Sequence, residues 1–121
     1  MDYWILAAAG LSALLLFAHV IGGGKQVHVP MLESDMSRLL KAYTSVIWHG
    51  ISAILAIGTG AFLWAAMGRG DGMAIVIAVQ YLAFVGLFLL YGVKRLKSIW
   101  VMPQWVAFLM ISVFTGVGLW N

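Results

Sequence analysis

The stretch RLLKAYTSVIWHGISAILAIGTGAFLWAAM, which runs from Arg38 to Met67, decides the fold of this chain. From Ala42 onward it is apolar except for small hydroxyls and a single imidazole, His49. As a helix that rises about 1.5 Å per residue, this apolar part would extend roughly 39 Å, enough to cross a hydrocarbon core of about 30 Å with some tilt. The stretch therefore predicts a membrane-spanning helix.

On a helical wheel the same stretch divides into a face of small residues and a face of bulky ones. Small residues allow a neighbouring helix to approach closely, whereas bulky aliphatic residues suit lipid tails. We therefore expect the small face to pack within the protein and the bulky face to contact lipid. The small face consists of Ser45, His49, Ser52, Ala56 and Gly60, and the bulky face of Tyr43, Ile47, Ile51, Ile54, Leu55 and Phe62.

The composition places the rest of the chain in lipid as well. Of its 121 residues, 64% are hydrophobic and 9% are charged, against about 45–50% and about 25% in soluble domains. We expect one transmembrane domain over residues 1–121. The absence of cysteine excludes disulfides, thiol catalysis and iron–sulfur clusters.

The apolar segments predict four helices. Three consecutive glycines from Gly22 and the later Pro30 predict a loop after the first of them, because both residue types break helices. The sequence GRGDG at Gly68–Gly72 predicts a tight turn, and Pro103 suits the start of the last helix. The fold class we expect is all-α, a four-helix up-down transmembrane bundle. Its predicted helices cover about 3–23, 38–67, 73–93 and 103–119.

The basic residues predict the orientation of this bundle. The net charge is +3, and six of the seven Lys and Arg residues flank the first and third connections. Short loops rich in Lys and Arg stay in the cytoplasm, so both termini are expected outside, in the periplasm, and the chain in a bacterial inner membrane. Nucleic acid is not an expected partner. The first connection is flanked by Lys25, Arg38 and Lys41, and the third carries Lys94, Arg95 and Lys97, which are also candidates for binding lipid headgroups.

Two histidines, His19 and His49, lie within predicted spans, where an ionisable side chain is costly and indicates a function by default. Three interpretations stay open. Each imidazole could be neutral and hydrogen-bonded to a carbonyl or hydroxyl across the bundle. The pair could instead ligate a b-type haem, or form a proton or quinone site.

The other polar residues give weaker predictions. His28 could add a third imidazole to a metal site, but a loop histidine is expected to be exposed, so no metal site is predicted. Gln80 is expected to make an interhelical hydrogen bond. No carboxylate lies inside a predicted span, so no catalytic group is predicted and proton-coupled drug export is disfavoured. The residues predicted to pack helices together are Ser12, Ser45, Ser52, Ala56, Gly60, Ser112 and Gly116.

The chain contains four short motifs, namely His19 with Gly22 and Gly23, Pro30, the pair Trp48–His49, and the triplet Pro103–Gln104–Trp105. These motifs resemble those of short uncharacterised four-helix bacterial inner-membrane proteins. The resemblance spans most of the chain and implies the same membrane fold without a named activity. The histidine followed by glycines is also similar to the opening helices of copper-resistance-D-like membrane proteins, but the rest of the chain does not follow them and no copper site is carried over.

These observations favour a non-enzymatic membrane component. We expect an accessory or structural subunit of a larger membrane complex, or a homo-oligomer, whose partners are membrane lipids and other membrane subunits or a second copy. The alternative is a redox protein that binds haem b or a quinone through His19 and His49. A small channel or transporter is a third hypothesis.

Overall fold

The computed structural model describes all 121 residues, which form four helices and no strand. The first three helices are long and apolar enough to cross a membrane, and the fourth is a shorter apolar helix of 17 residues. This confirms the all-helical, membrane-spanning character predicted from the composition. The helices are α1 (Tyr3–Leu32), α2 (Arg38–Ala66), α3 (Gly72–Leu96) and α4 (Gln104–Trp120).

Side chains and glycines at the helix ends fix where the first two helices begin and where α2 turns into α3. The Asp2 carboxylate accepts hydrogen bonds from the backbone N–H groups of Trp4 and Ile5, which α1 leaves without helical partners. The Ser37 hydroxyl caps α2 in the same way. Between α2 and α3, Gly68 and Gly70 have φ values of +74° and +118°, which only glycine adopts without strain.

The prediction that the first helix ends near Gly23 is wrong. The helix continues to Leu32, and residues Ala18–His28 form a π-helix, in which each N–H bonds to the carbonyl five residues back. Membrane helices tolerate glycine and proline because such local changes of register satisfy the backbone groups that these residues would leave free. The loop predicted over residues 22–37 is therefore reduced to the segment 33–37.

The third helix also extends beyond its predicted end. A second π segment, Gly92–Leu96, follows the α-helical part, and Lys97 then ends the helix in the left-handed conformation with φ 53°. A Cβ atom on Gly92 would lie 2.8 Å from the carbonyl oxygen of Ser98, so glycine lets the chain turn back closely here. The chain reaches α4 through residues 97–103.

The helices pack in a closed arrangement in which α1 contacts both α2 and α4, and α3 packs mainly against α4. The backbone N–H of Asp2 donates to the carbonyl of Ala66 at 2.8 Å, and Gly118 packs against Ile5. The start of α1 and the ends of α2 and α4 therefore meet. The buried core lies toward this end, since all the buried residues of α2 lie from Leu55 onward, whereas the π segment Ala18–His28 contains no buried residue.

The two sides of the first helix differ in burial. Ala8 and Ser12 are fully buried, and Leu14 and Phe17 on the opposite side are exposed. The faces predicted for α2 are partly wrong. Leu55 and Phe62, which were expected to contact lipid, are buried in the core. Ala56 and Gly60, which were expected to pack within the protein, are exposed. Lipid tails are as apolar as leucine, so nothing drives a bulky side chain outward, and shape decides which residues enter the core.

Candidate functional site: a histidine–tryptophan cluster

Two imidazoles stack on one indole of α2, and a third imidazole contacts one of these two. The ring of His19 stacks on Trp48 with the ring centroids 4.1 Å apart and an angle of 22° between the planes. The ring of His28 is also parallel to Trp48, at 5.6 Å and 2°. His49 meets His28 edge to face at 5.2 Å. We call these four residues the histidine–tryptophan cluster.

The π register of α1 explains why both of its histidines reach the same indole. His19 and His28 are nine residues apart, which is about two and a half turns of an α-helix, so a regular helix would point them to opposite sides. A π-helix turns less per residue, because each hydrogen bond closes over five residues instead of four. The widened segment Ala18–His28 therefore aligns the two rings on the side that faces α2.

A glycine makes room for the indole between the two histidines. A Cβ atom on Gly23 would lie 2.9 Å from Cη2 of Trp48, closer than side chains normally approach. Adding a Cβ atom to Gly22 or Gly24 would meet nothing within 4 Å. Of the three consecutive glycines, Gly23 is thus the one that the cluster requires.

Hydrogen bonds hold two of the imidazoles. His19 Nε2 lies 3.1 Å from the backbone carbonyl oxygen of Trp48, and because a carbonyl only accepts, the proton is on Nε2. His28 Nε2 lies 3.1 Å from the hydroxyl of Ser45. The Ser52 hydroxyl donates to the same Trp48 carbonyl at 3.3 Å. The arrangement of His19 matches the first of the three interpretations, an imidazole bonded to a carbonyl of a neighbouring helix.

The structure changes the predicted roles of the other two histidines. His28 lies on α1 and is half-buried, so the prediction of an exposed loop histidine is wrong. The neighbour of His49 in the cluster is His28, and His49 itself is exposed and makes no side-chain hydrogen bond within the chain. The use of His19 and His49 as a haem or quinone site stays a prediction.

A second polar group, which the sequence did not predict, lies in the buried core. The hydroxyl of Tyr81 lies 2.8 Å from that of Ser12, and Thr59 donates to Ser12 at 3.0 Å. Tyr81 is completely buried, and its hydroxyl fits against Gly58, where any side chain would overlap it. A tyrosine in an apolar helix resembles an interfacial anchor in sequence, so only the glycine opposite could have indicated its burial.

The remaining predicted residues divide between the core and the surface. Ser112 is buried and its hydroxyl lies within hydrogen-bonding distance of the carbonyls of Ala78 on α3 and Phe108. Gln80 is exposed and makes no side-chain hydrogen bond, so its predicted interhelical bond is not formed within this chain. Three small residues predicted to pack helices together within the bundle are exposed instead, namely Ala56, Gly60 and Gly116. The headgroup candidates Lys94, Arg95 and Lys97 are also exposed.

No protein-family model, curated protein or solved structure matches this chain. No three His, Asp or Glu side chains are grouped so that they could hold one metal ion.

Proposed function

We propose that this chain is a small non-enzymatic subunit of the bacterial inner membrane, which associates with a second copy or with another membrane protein through α2. One observation carries the proposal. A strip on the exposed side of α2 consists of small residues with an imidazole at one end, namely His49, Ala53, Ala56 and Gly60, and the bulkier Val46 and Ile57 flank it on one side. We call this surface the α2 face.

Two physical reasons favour protein over lipid as the cover of the α2 face. Small residues allow two helix backbones to approach closely, which is the main source of association energy between membrane helices. An imidazole at membrane depth without a hydrogen bond is costly against acyl chains, and a partner helix that supplied an acceptor would remove this cost. Gln80 is a second exposed polar side chain within a span, and a partner could satisfy it in the same way.

The orientation belongs to the same proposal. We place both termini in the periplasm, with the helices alternating in direction across the membrane. The basic residues around the first and third connections favour this orientation. The meeting of Asp2 with Ala66 and of Ile5 with Gly118 supports the alternation, because it joins the start of α1 to the ends of α2 and α4.

A pair of glycine substitutions tests the proposal. Gly60 on the α2 face and Gly86 on α3 are both exposed, and a side chain at either position meets nothing within 4 Å. We expect Gly60→Leu to lower the apparent mass of the assembly extracted from membranes in mild detergent, while Gly86→Leu leaves it unchanged. Equal masses for both variants and the parent would contradict a role for the α2 face, as would a parent protein that is monomeric and partner-free.

A redox role for the histidine–tryptophan cluster is the second candidate. The stacking of His19 and His28 on Trp48, with His49 beside His28, favours it. Because Nε2 of His19 donates to a carbonyl, this residue has only Nδ1 free for a ligand in the present arrangement. The absorbance spectrum of the purified protein tests the idea. A reduced-minus-oxidised band of a b-type cytochrome that disappears in His19→Ala and His49→Ala would establish it, and a featureless spectrum would exclude haem from the purified protein.

A further inference from the structure

An apolar groove lies where α3 approaches the segment that leads to α4. Its volume is about 220 Å³, and every residue that lines it is apolar or aromatic, namely Phe84, Leu87, Phe88, Tyr91 and Met102. Phe84 and Phe88 also pack against Phe108 of α4, with ring centroids 5.1 and 6.0 Å apart, so two rings of the groove are held by the core. Such a lining favours contact with hydrocarbon over contact with water.

Three cations lie on the chain between the two walls of this groove. Tyr91 and Met102 line the groove, and Lys94, Arg95 and Lys97 are in the segment that connects them. All three cations are exposed. No Asp or Glu occurs in the sequence after Asp71, so this half of the chain offers them no carboxylate side chain.

The segment that carries the second wall is anchored by aromatic residues. The indole N–H of Trp105 donates to the backbone carbonyl of Ile99 at 2.8 Å. Trp100 packs against Trp105, with the ring centroids 5.4 Å apart. Tryptophan is enriched at the level of the lipid headgroups, so these two side chains place the segment at the boundary between headgroup and acyl chain.

We propose that this region is a binding site for an anionic phospholipid, with one acyl chain in the groove and the headgroup phosphate beside Lys94, Arg95 and Lys97. The charge of the cations requires a negative headgroup, and the apolar lining requires a chain attached to it. A zwitterionic lipid would fill the groove equally well but would gain less from the cations, each of which contributes roughly a fivefold preference for a negative surface. The site is independent of the α2 face.

Competition between two lipids tests this site. The purified full chain in detergent micelles is supplied with equal amounts of phosphatidylglycerol and phosphatidylcholine with identical acyl chains, and native mass spectrometry measures which lipid stays bound. We expect at least a fivefold excess of phosphatidylglycerol. The triple variant Lys94→Gln, Arg95→Gln, Lys97→Gln should bring the ratio near one, while Arg69→Gln in the α2–α3 turn should leave it unchanged.

Filling the groove tests the acyl chain separately from the headgroup. Leu87→Trp should reduce the occupancy of both lipids, and Met102→Trp, on the opposite wall, serves if the first variant loses its helical circular dichroism. The proposal fails if the parent protein retains both lipids equally or if the triple variant keeps the parent's ratio. It also fails if a folded groove-filling variant keeps full occupancy, since the cations alone would then hold the headgroup.

Discussion

The hydroxyl of Tyr81 on α3 lies 2.8 Å from the hydroxyl of Ser12 on α1, and this hydrogen bond crosses the interior of the bundle. Both residues are completely buried, and Thr59 of α2 donates to the same serine. Three helices are therefore tied to one another by three hydroxyls in the interior of the bundle. Hydrogen bonds of this kind between membrane helices typically contribute about 0.6 kcal/mol and at most about 2 kcal/mol.

The first prediction concerns this hydroxyl group. We expect Tyr81→Phe to lower the free energy of unfolding by about 1 kcal/mol, since the ring is retained while Ser12 loses one of its two side-chain partners. Unfolding by sodium dodecyl sulfate in mixed micelles measures the change. Tyr91→Phe is the control, because Tyr91 is exposed and makes no side-chain hydrogen bond. Equal stability of the two variants would contradict the role of the buried bond.

The second prediction compares two glycines on α2. We expect Gly58→Ala to destabilise the protein by about 1–3 kcal/mol, because the new methyl group would overlap the hydroxyl of Tyr81, whose ring is fully buried and cannot move aside. Gly50→Ala, on the same helix but outside the α2 face, should be neutral or stabilising by up to about 1 kcal/mol, because alanine favours the helix and meets no neighbour. Thermal unfolding of both variants in the same detergent gives the comparison, and a stable Gly58→Ala protein would argue against the buried position of Tyr81.

The third prediction applies the same reasoning to the histidine–tryptophan cluster. We expect Gly23→Ala to displace the Trp48 indole and to weaken its stacking on His19, because the added methyl group would lie 2.9 Å from Cη2. Gly22→Ala has no neighbour to displace and serves as the control. The midpoint of thermal unfolding should be lower for Gly23→Ala than for Gly22→Ala. The opposite order would show that Trp48 does not occupy this position.

The fourth prediction separates stacking from hydrogen bonding at His19. His19→Phe keeps an aromatic ring against Trp48 but loses the donor to its carbonyl, so we expect a loss of about 0.5–1.5 kcal/mol in the free energy of unfolding. His19→Ala should lose more, because it also removes the stacked ring. His49→Phe should change the stability little, since His49 is exposed and has no hydrogen bond to lose. Denaturation in micelles gives the free energy of unfolding of all three variants. A large loss of stability found only for His49→Phe would contradict the stabilising contacts assigned to His19.

The fifth prediction tests the orientation in the membrane. The chain contains no cysteine, so single cysteines can be introduced without background. We expect Asp71→Cys in the α2–α3 turn to react with a membrane-impermeant maleimide in intact cells, and Asp35→Cys between α1 and α2 to react only after the inner membrane is opened. The reverse pattern would place the termini in the cytoplasm and would overturn the orientation inferred from the basic residues.

The sequence was sufficient for the helical class and for most helix ends, because these depend on local signals. Runs of apolar residues predicted the spans, and the glycines around Arg69 predicted the turn between α2 and α3. The end of α1 was missed because Gly22 to Gly24 and Pro30 break helices in water, whereas a membrane helix adjusts its register and continues. The rule that glycine and proline end a helix holds in water but not in lipid.

Less of the candidate site than of the fold could be predicted, because its contacts depend on how the helices pack against one another. His19 and the serines Ser12, Ser45 and Ser52 take part in the contacts of the bundle, as their helical positions indicated. The assignment of His28 to a loop followed from the misplaced end of α1. The burial of Tyr81 depends on a fit to Gly58 on another helix, and no pattern within either segment encodes that fit.

Because part of α1 has the π register, the geometry of the histidine–tryptophan cluster depends on the number of residues in this helix as well as on their identity. Between Ala18 and His28, removal of a single residue would allow the backbone to return to the ordinary α-helical ladder. His19 and His28 would then be eight residues apart, and an α-helix would place them about 80° from each other around the axis, so His28 would move away from both Ser45 and the indole although no side chain of the cluster had been altered. A one-residue deletion in that segment therefore rotates the part of the helix beyond it, whereas a substitution leaves the number of residues in the segment unchanged.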